Sequence, residues 1–284
     1  MTTLLAVPNF SEGRDTNTIE AIGSAFGAGL LDVHADGDHN RSVFTVVGTS
    51  GELAYKVKDA AATAAELIDV SAHSGIHPRI GAIDVAPIVY LNTDDRGAAC
   101  AEALVLGDLL GEDLGIPVFT YGELADGRTR AELRRGGPAQ LARRMRQDEL
   151  RPDFGPREMH PTAGAVLVGA RPPLVAFNLE LDEQTQLEEA QRIAAAIREG
   201  GEEGLDGVRA IGLWLPDRGV AQVSTNVEEP SATPLAAVVE AVSRHARVSS
   251  TELVGLAPRV AFDGFPDELP ISNRRTIEDA LDAN

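Results

Sequence analysis

At 284 residues the chain is long enough for one large domain or two smaller ones. Hydrophobic residues at 43% and charged residues at 24% are ordinary for a globular protein and exclude disordered, collagen-like and mucin-like chains. Lys plus Arg total 25 against 44 Asp plus Glu, and the resulting −19 argues against a nucleic-acid partner, while a single cysteine, Cys100, excludes an internal disulfide framework and a multi-cysteine zinc site.

The N-terminal run MTTLLAVPNFSEGR has no basic region ahead of its short apolar stretch, so no signal peptide is expected. Nor does any apolar run reach the roughly 18 residues of a membrane span. The expectation is a soluble, reduced, cytoplasmic protein. Residues 4–10 (LLAVPNF) form a strand candidate, and Ile19, Ile22 and Phe26 give residues 18–26 helical spacing. Residues 30–33 (LLDV) are a second strand, ADGDHNRS a polar turn, and 43–48 (VFTVVG) a buried strand. Over residues 52–69, Leu53, Val57, Ala60, Ala64 and Leu67/Ile68 step by three and four, which predicts an amphipathic helix with Ser50 as its cap. Residues 81–90 close a β-α-β-β-α-β set, extended by a helix at 97–113 and a strand at 117–121. Residues 122–160 are polar and Arg-rich and predict a short helix and loops, with the arginines as a solvated face or the rim of an anion site.

The second half repeats the order, with strands at 174–181, 209–215, 220–227 and 252–257, helices at 183–199 and 234–245, and PDRG as a hairpin turn. The expected architecture is therefore α/β of the α+β kind. Two ferredoxin-like βαββαβ subdomains, residues 1–174 and 175–284, would each carry helices on one face and stack their sheets between helical layers.

Six histidines set the search for chemistry. His73 and His77 in HSGIHPR are four apart, a metal-ligand spacing on a helix, but Gly75 lies between them and Pro78 disfavours the helical region for His77. The same stretch, GIHPRIGAID, sets His77 and Arg79 on a loop at the mouth of a strand, where sites gather. A loop histidine bonded to backbone is the plainer alternative. DHNRSVFT places His39, Asn40 and Arg41 in the turn leading into a buried strand. TAGAVLVGAR runs from Thr162 through Gly164, Ala165, Gly169 and Ala170 to Arg171; its small residues allow either a flat ligand or tight sheet packing. There is no Walker loop, dinucleotide fingerprint or GxSxG elbow, and Cys100 and His245 read as structural.

VPNFSEG, LLDV, HNRSVFTVVG, HPRIGAID, GA…VGAR, VAFNLEL, AQVSTNV and ELVGLAP occur in this order from residue 7 to 258. Together they resemble the glutamate formimidoyltransferase family, folate-dependent enzymes of histidine breakdown. The resemblance implies two α/β subdomains with stacked sheets and transfer of a formimino group between N-formimino-L-glutamate and N5 of tetrahydrofolate. It places the general acid/base on His77 and the folate segment on Thr162, Gly164, Ala165, Gly169, Ala170 and Arg171, and points to His39, Asn40, Arg41 and Arg79 for substrate binding. Tetrahydrofolate would be a co-substrate, without a metal, in a cytoplasmic homodimer with neither nucleic-acid nor membrane partners. Vertebrate bifunctional relatives carry a cyclodeaminase domain after this one, and the chain is expected to end before it.

This sequence departs from the vertebrate pattern at Thr162 and Ala163, the second of which can be aromatic there, and at His34, where LLDVD has an aspartate; Asp36 is the nearest carboxylate. In such a reaction N5 attacks the formimino carbon. The intermediate then loses a proton from N5 and gains one on the departing glutamate nitrogen, a task for one imidazole titrating near neutrality. Both substrates carry carboxylates, so a protein at −19 needs a local cationic pocket, for which Arg41, Arg79 and Arg171 offer planar forks. The pterin pocket is expected away from His77, because the folate segment lies far along the chain. The alternatives are formyl transfer, a non-catalytic folate or amino-acid sensing module, and a metal hydrolase built on His34, His39, His73 and His77.

Overall fold

The computed structural model describes residues 2–76 and 78–284, so His77 lies outside the described residues. The chain forms two compact units, Met1–Pro172 and Pro173–Asn284.

In the first unit, β1 (Thr3–Ala6) and β2 (Asn9–Phe10) are one strand interrupted around Pro8, which has no N–H to give to a ladder. α1 (Thr16–Ala25) follows, its N-terminus capped by the Asp15 side chain accepting from the Asn17 amide. β3 (Leu30–Asp36), β4 (Arg41–Thr49), α2 (Leu53–Leu67) and β5 (Ile83–Val89) complete the predicted β-α-β-β-α-β order. In space the strands run β3, β4, β1/β2, β5, all antiparallel, as that motif requires. The chain continues through α3 (Arg96–Asp108), β6 (Val118–Thr120), α4 (Arg130–Arg134) and α5 (Gly137–Arg146) to β7 (Val166–Arg171). β7 lies parallel between β5 and β6. The small-residue run of the sequence is thus an interior strand.

α1, α2 and α3 bury one sheet face through Ile22, Val57, Ala61 and Leu106 against Leu4, Phe44, Ile88 and Val168. The expectation of helices on one face alone needs correction here. At the β5–β7–β6 end, α4 and α5 lay Leu133, Leu141 and Met145 on Val85, Phe119 and Leu167 of the opposite face. The Arg-rich segment is amphipathic, and its few apolar side chains find this cover while most of its arginines stay toward water.

The second unit runs β8 (Val175–Leu181), α6 (Leu187–Ile197), β9 (Val208–Leu215), β10 (Val220–Val227), α7 (Leu235–Ser243) and β11 (Val248–Val254), then a short β12 (Ile271–Ser272) and α8 (Ile277–Asp282). Its sheet order is β12-β11-β8-β10-β9. Phe177, Leu179, Ala221, Val223 and Leu253 alternate onto the helical side and form its core. PDRG makes the predicted hairpin, with the Gly219 amide donating to Leu215 O at 2.7 Å. β11 begins four residues ahead of the predicted strand at 252, because alternation in VSSTELV, rather than the apolar run ELVGLA, sets its pairing with β8.

The predicted cap of α2 is also replaced. Its N-terminus has no local side-chain cap. The buried carboxylate of Glu102, on α3, instead accepts from the amides of Gly51 at 2.6 Å and Ala54 at 2.8 Å. Negative charge at a helix N-terminus is favourable, and here it arrives from a neighbouring helix. Glu102→Ala is therefore expected to cost about 2–4 kcal/mol, read as a fall in the urea midpoint, with Glu102→Gln costing less because one acceptor oxygen remains. Ser50→Ala should cost under about 0.5 kcal/mol. Equal losses for Ser50→Ala and Glu102→Ala would contradict the assignment.

Candidate functional site

The strand directions of the first unit bring one set of strand ends together. The C-terminal ends of β2 and β3 and the N-terminal ends of β4, β5 and β7 share one edge of the sheet. Four connections therefore meet there, residues 11–15, 37–40, 68–82 and 160–165. They carry the HNR turn, the HPR loop and the start of TAGAVLVGAR.

Asn40 ties the first two. It takes a left-handed backbone, φ 48°, which its short amide tolerates. Its Oδ1 accepts from the Gly13 amide at 2.9 Å, and its Nδ2 donates to Ser74 O at 2.8 Å. His73 Nε2 lies 3.1 Å from Asn40 O. Arg79 folds back to donate to His73 O at 2.6 Å and Gly75 O at 3.2 Å. Gly75 permits the contact, since a Cβ there would stand 2.6 Å from His39 O.

The other flank of the loop is laced to the third motif. Val70 N donates to Thr162 O and Ala82 N to Ala163 O, both at 2.9 Å, and Ala165 N donates to Ile80 O at 3.0 Å. Gly81 and Gly164 form an isolated bridge, and a Cβ on Gly81 would fall 2.0 Å from Ala165 O. Ser11 Oγ donates to Gly81 O at 2.7 Å. The segments on both sides of residue 77 are thus fixed. The expectation that the folate segment lies apart from this loop is corrected for its first residues: Thr162, Gly164 and Ala165 are its immediate neighbours.

β3 departs from its sequence pattern. LLDV suggests apolar residues inward, yet Val33 is 42% exposed, and Asp32, His34 and Asp36 are buried. The register decides this. Val33 pairs with Phe44 on the helical side at the sheet edge, while His34 pairs with Val43 on the opposite face, after a shift between Leu30 and Asp32. Asp36 Oδ1 accepts from the His39 amide at 2.7 Å and lies 2.9 Å from His39 Nδ1, and the His39 ring is buried. Burial, then the charge of Arg41, pushes His34 down to about 4, so this imidazole is neutral at neutral pH. Burial and then Arg79 also lower His73.

Among the residues singled out in the sequence, His39 and Asn40 are engaged within the fold, while Arg41, Arg79, Thr162 and Arg171 are partly exposed. Ala165 and Ala170 point into the cores on opposite faces of the sheet. Gly169 is filled by a neighbour, since a Cβ there would meet the Tyr121 ring at 2.7 Å. Arg171 ends β7 and donates to Pro172 O at 2.9 Å. At about 3.3 Å per residue it lies roughly 20 Å from Gly164, at the far edge of the sheet. Only an elongated ligand could reach both ends.

Two residues escaped the sequence reading. Asp84, buried in β5, accepts from the Ile80 amide at 2.8 Å and pairs with Arg134 of α4. An acid inside the apolar run GAIDVAPIV was its only signal. His160 Nδ1 accepts from the Ala163 amide at 2.9 Å and shapes the 160–165 turn. Among the described residues, no three His, Cys, Asp or Glu side chains gather into a metal-binding group, and no helix is long and apolar enough to cross a membrane.

Residues 3–171 match the family model of the formiminotransferase domain, N-terminal subdomain, and residues 176–263 match that of the formiminotransferase domain. The chain is 42% identical over 273 residues to the formimidoyltransferase-cyclodeaminase of Gallus gallus, covering 90% of this chain and 50% of that protein. It is 38% identical over 269 residues to the glutamate formimidoyltransferase of Streptococcus pyogenes serotype M1, covering 90% and 89%. It is 36% identical over 276 residues to that of Thermoplasma acidophilum, covering 92% and 90%. The chain spans about half the length of the bifunctional relatives it matches.

The depressed His34 gives a pH signature. Between its ordinary value near 6.5 and about 4, the unfolded chain binds a proton that the folded chain does not, so stability falls as pH drops through that window. The loss should reach roughly 3 kcal/mol by pH 4 and be absent above pH 7. Unfolding midpoints of wild type and His34→Gln between pH 4 and 7.5 check it: the variant's profile should be flatter by that amount, and parallel profiles would contradict the assignment.

Proposed function

From the premise that the chain belongs to the formiminotransferase family, we propose that it is a glutamate formimidoyltransferase. It moves the formimino group between N-formimino-L-glutamate and N5 of tetrahydrofolate in the degradation of histidine. The observation that carries this reading is the meeting of three family motifs, HNR, HPR and TAGA, at one edge of one sheet through Asn40, Gly75 and Gly81.

His77 acts as general acid and base. Its flanking segments, residues 70–76 and 78–82, are held by hydrogen bonds to the turn before β4 and the turn before β7, which brings the HPR stretch's neighbours beside the other two motifs. N5 attacks the formimino carbon and its proton passes to the base. The bond from that carbon to the glutamate nitrogen then breaks as this nitrogen receives a proton. Arg41 and Arg79 supply positive charge near the reacting end, against a chain that carries −19 overall. His39 and Asn40 belong to the substrate-binding turn: Asn40 ties it to the loop through Ser74, and His39 is held within it by Asp36.

Folate is bound by the segment from Thr162 through Gly164, Ala165, Gly169 and Ala170 to Arg171, whose partly exposed ends meet the ligand. The pterin lies at Thr162 ahead of β7 and the glutamate tail toward Arg171, and the covered residues between them shape the strand that spaces these ends. The roughly 20 Å between these ends suits an elongated molecule. Tetrahydrofolate is a co-substrate and no metal takes part. The enzyme works in the cytoplasm as a homodimer.

Mixing purified protein with formiminoglutamate and tetrahydrofolate should give the difference spectrum of the formimino product, and formylglutamate as donor should give none. His77→Asn should lower turnover by about 10²–10⁴-fold while folate still binds. Near-normal turnover in that variant, with His39→Asn inactive although folded, would transfer the acid–base role away from His77. Separately, Arg171→Ala should weaken folate binding by about 1.5–3 kcal/mol in calorimetry, as loss of a charge-assisted bond does. Unchanged affinity would remove Arg171 from the site.

A further inference from the structure

β5 is irregular at its start. Asn9 of β2 faces Val85 and Phe10 faces Ile83, so Asp84 is an extra residue, the bulge of this pair. A bulge re-aims the side chain it carries. Here the carboxylate is buried and turns back along its own chain. Oδ1 accepts from the Ile80 amide at 2.8 Å, and Oδ2 pairs with Nη2 of Arg134. Ile80 is buried as well, and its carbonyl receives the Ala165 amide at 3.0 Å. The segment that follows residue 77 is thereby held on one side by a side chain and on the other by the turn before β7.

Stability alone does not account for this pair. Arg134 gives one nitrogen to Asp84, while its Nε is buried without a hydrogen-bond partner among the described residues. A guanidinium so incompletely satisfied does little to offset its own desolvation, and two apolar residues would pack well beside Val85, Leu133 and Leu167. Such residues would leave the buried Ile80 amide without its acceptor.

We infer that Asp84 and Arg134 are positioning residues for the transfer reaction. Asp84 sets the course of residues 78–82 through the Ile80 amide, and Arg134 fixes the plane of its carboxylate. The inference rests on the formimidoyltransferase reading, in which this segment follows His77 and carries Arg79. Neither residue touches substrate; both act through the backbone.

Steady-state kinetics, thermal melting and NMR exchange of the Ile80 amide hydrogen test it. Asp84→Ala should lower kcat at least about tenfold well below its melting temperature, as misplacement of a reacting group does, with the KM for formiminoglutamate within about threefold of wild type. The KM should hold because Arg79 is tied separately, to the carbonyls of His73 and Gly75. Exchange at Ile80 should quicken. The double variant Asp84→Asn/Arg134→Met keeps an acceptor for Ile80 and buries no charge, so it should recover kcat to within about threefold of wild type and restore slow exchange. A role in stability alone predicts the opposite, because the double variant has lost the ion pair. Normal kcat in Asp84→Ala overturns the inference, as does a folded double variant no more active than Asp84→Ala. If Asp84→Ala does not fold, Arg134→Met takes its place: it should lose kcat and exchange faster at Ile80, and normal values of both overturn the inference. Wild type that does not turn over formiminoglutamate defeats the formimidoyltransferase reading and this role with it, a different result from wild type and variants turning over alike.

Discussion

Backbone pressed against backbone, closer than any side-chain carbon allows, is the constraint on which the site of the first unit depends. Gly75 lies against the carbonyl of His39, and Gly81 against that of Ala165. These two contacts let one loop touch the turn before β4 and the turn before β7 together. The hydrogen bonds from Asn40, Val70, Ala82 and Ala165 can form only at that separation. A larger residue at either position would push the loop off one neighbour, and the arrangement of three motifs would come apart without any functional side chain having been altered.

Charge buried around this loop follows the same logic. Arg134 pairs with Asp84, Asp84 holds the Ile80 amide, and the Ile80 carbonyl receives the Ala165 amide. An arginine from a segment that looks solvated in the sequence thus anchors the loop through one intermediary, Asp84. Nearer the surface, the partly exposed Arg128 joins Asp153 and Thr120 of β6. Buried ion pairs bring little net stability once desolvation is counted, but removing one partner strands the other. Their worth here lies in fixing geometry within a strongly acidic chain.

The two units elaborate one motif differently. The first adds two parallel strands and covers part of its second face with α4 and α5; the second adds only a short edge strand, β12. In both, the face away from the principal helices carries polar residues where a simple alternation would allow apolar ones: Asp32, His34 and Asp36 in the first, Asn178, Glu180 and Gln222 in the second. Departures from the hydrophobic pattern are expected where function competes with folding.

The sequence by itself determined the order of elements in both halves, the hairpin at PDRG and the fragments that mark the family. These rest on local periodicity, turn chemistry and residue order, which a linear reading captures. Tertiary structure alone decided that Glu102 rather than Ser50 caps α2, that residues 166–171 form an interior strand, and that β3 turns its acids and His34 inward with Val33 outward. It also decided that Asp84 and Arg134, fifty residues apart, meet. Each depends on strand register or on a partner distant in the chain. A shift of one residue in pairing reverses which side chains a strand buries, and no local pattern encodes a partner that only the folded sheet brings near.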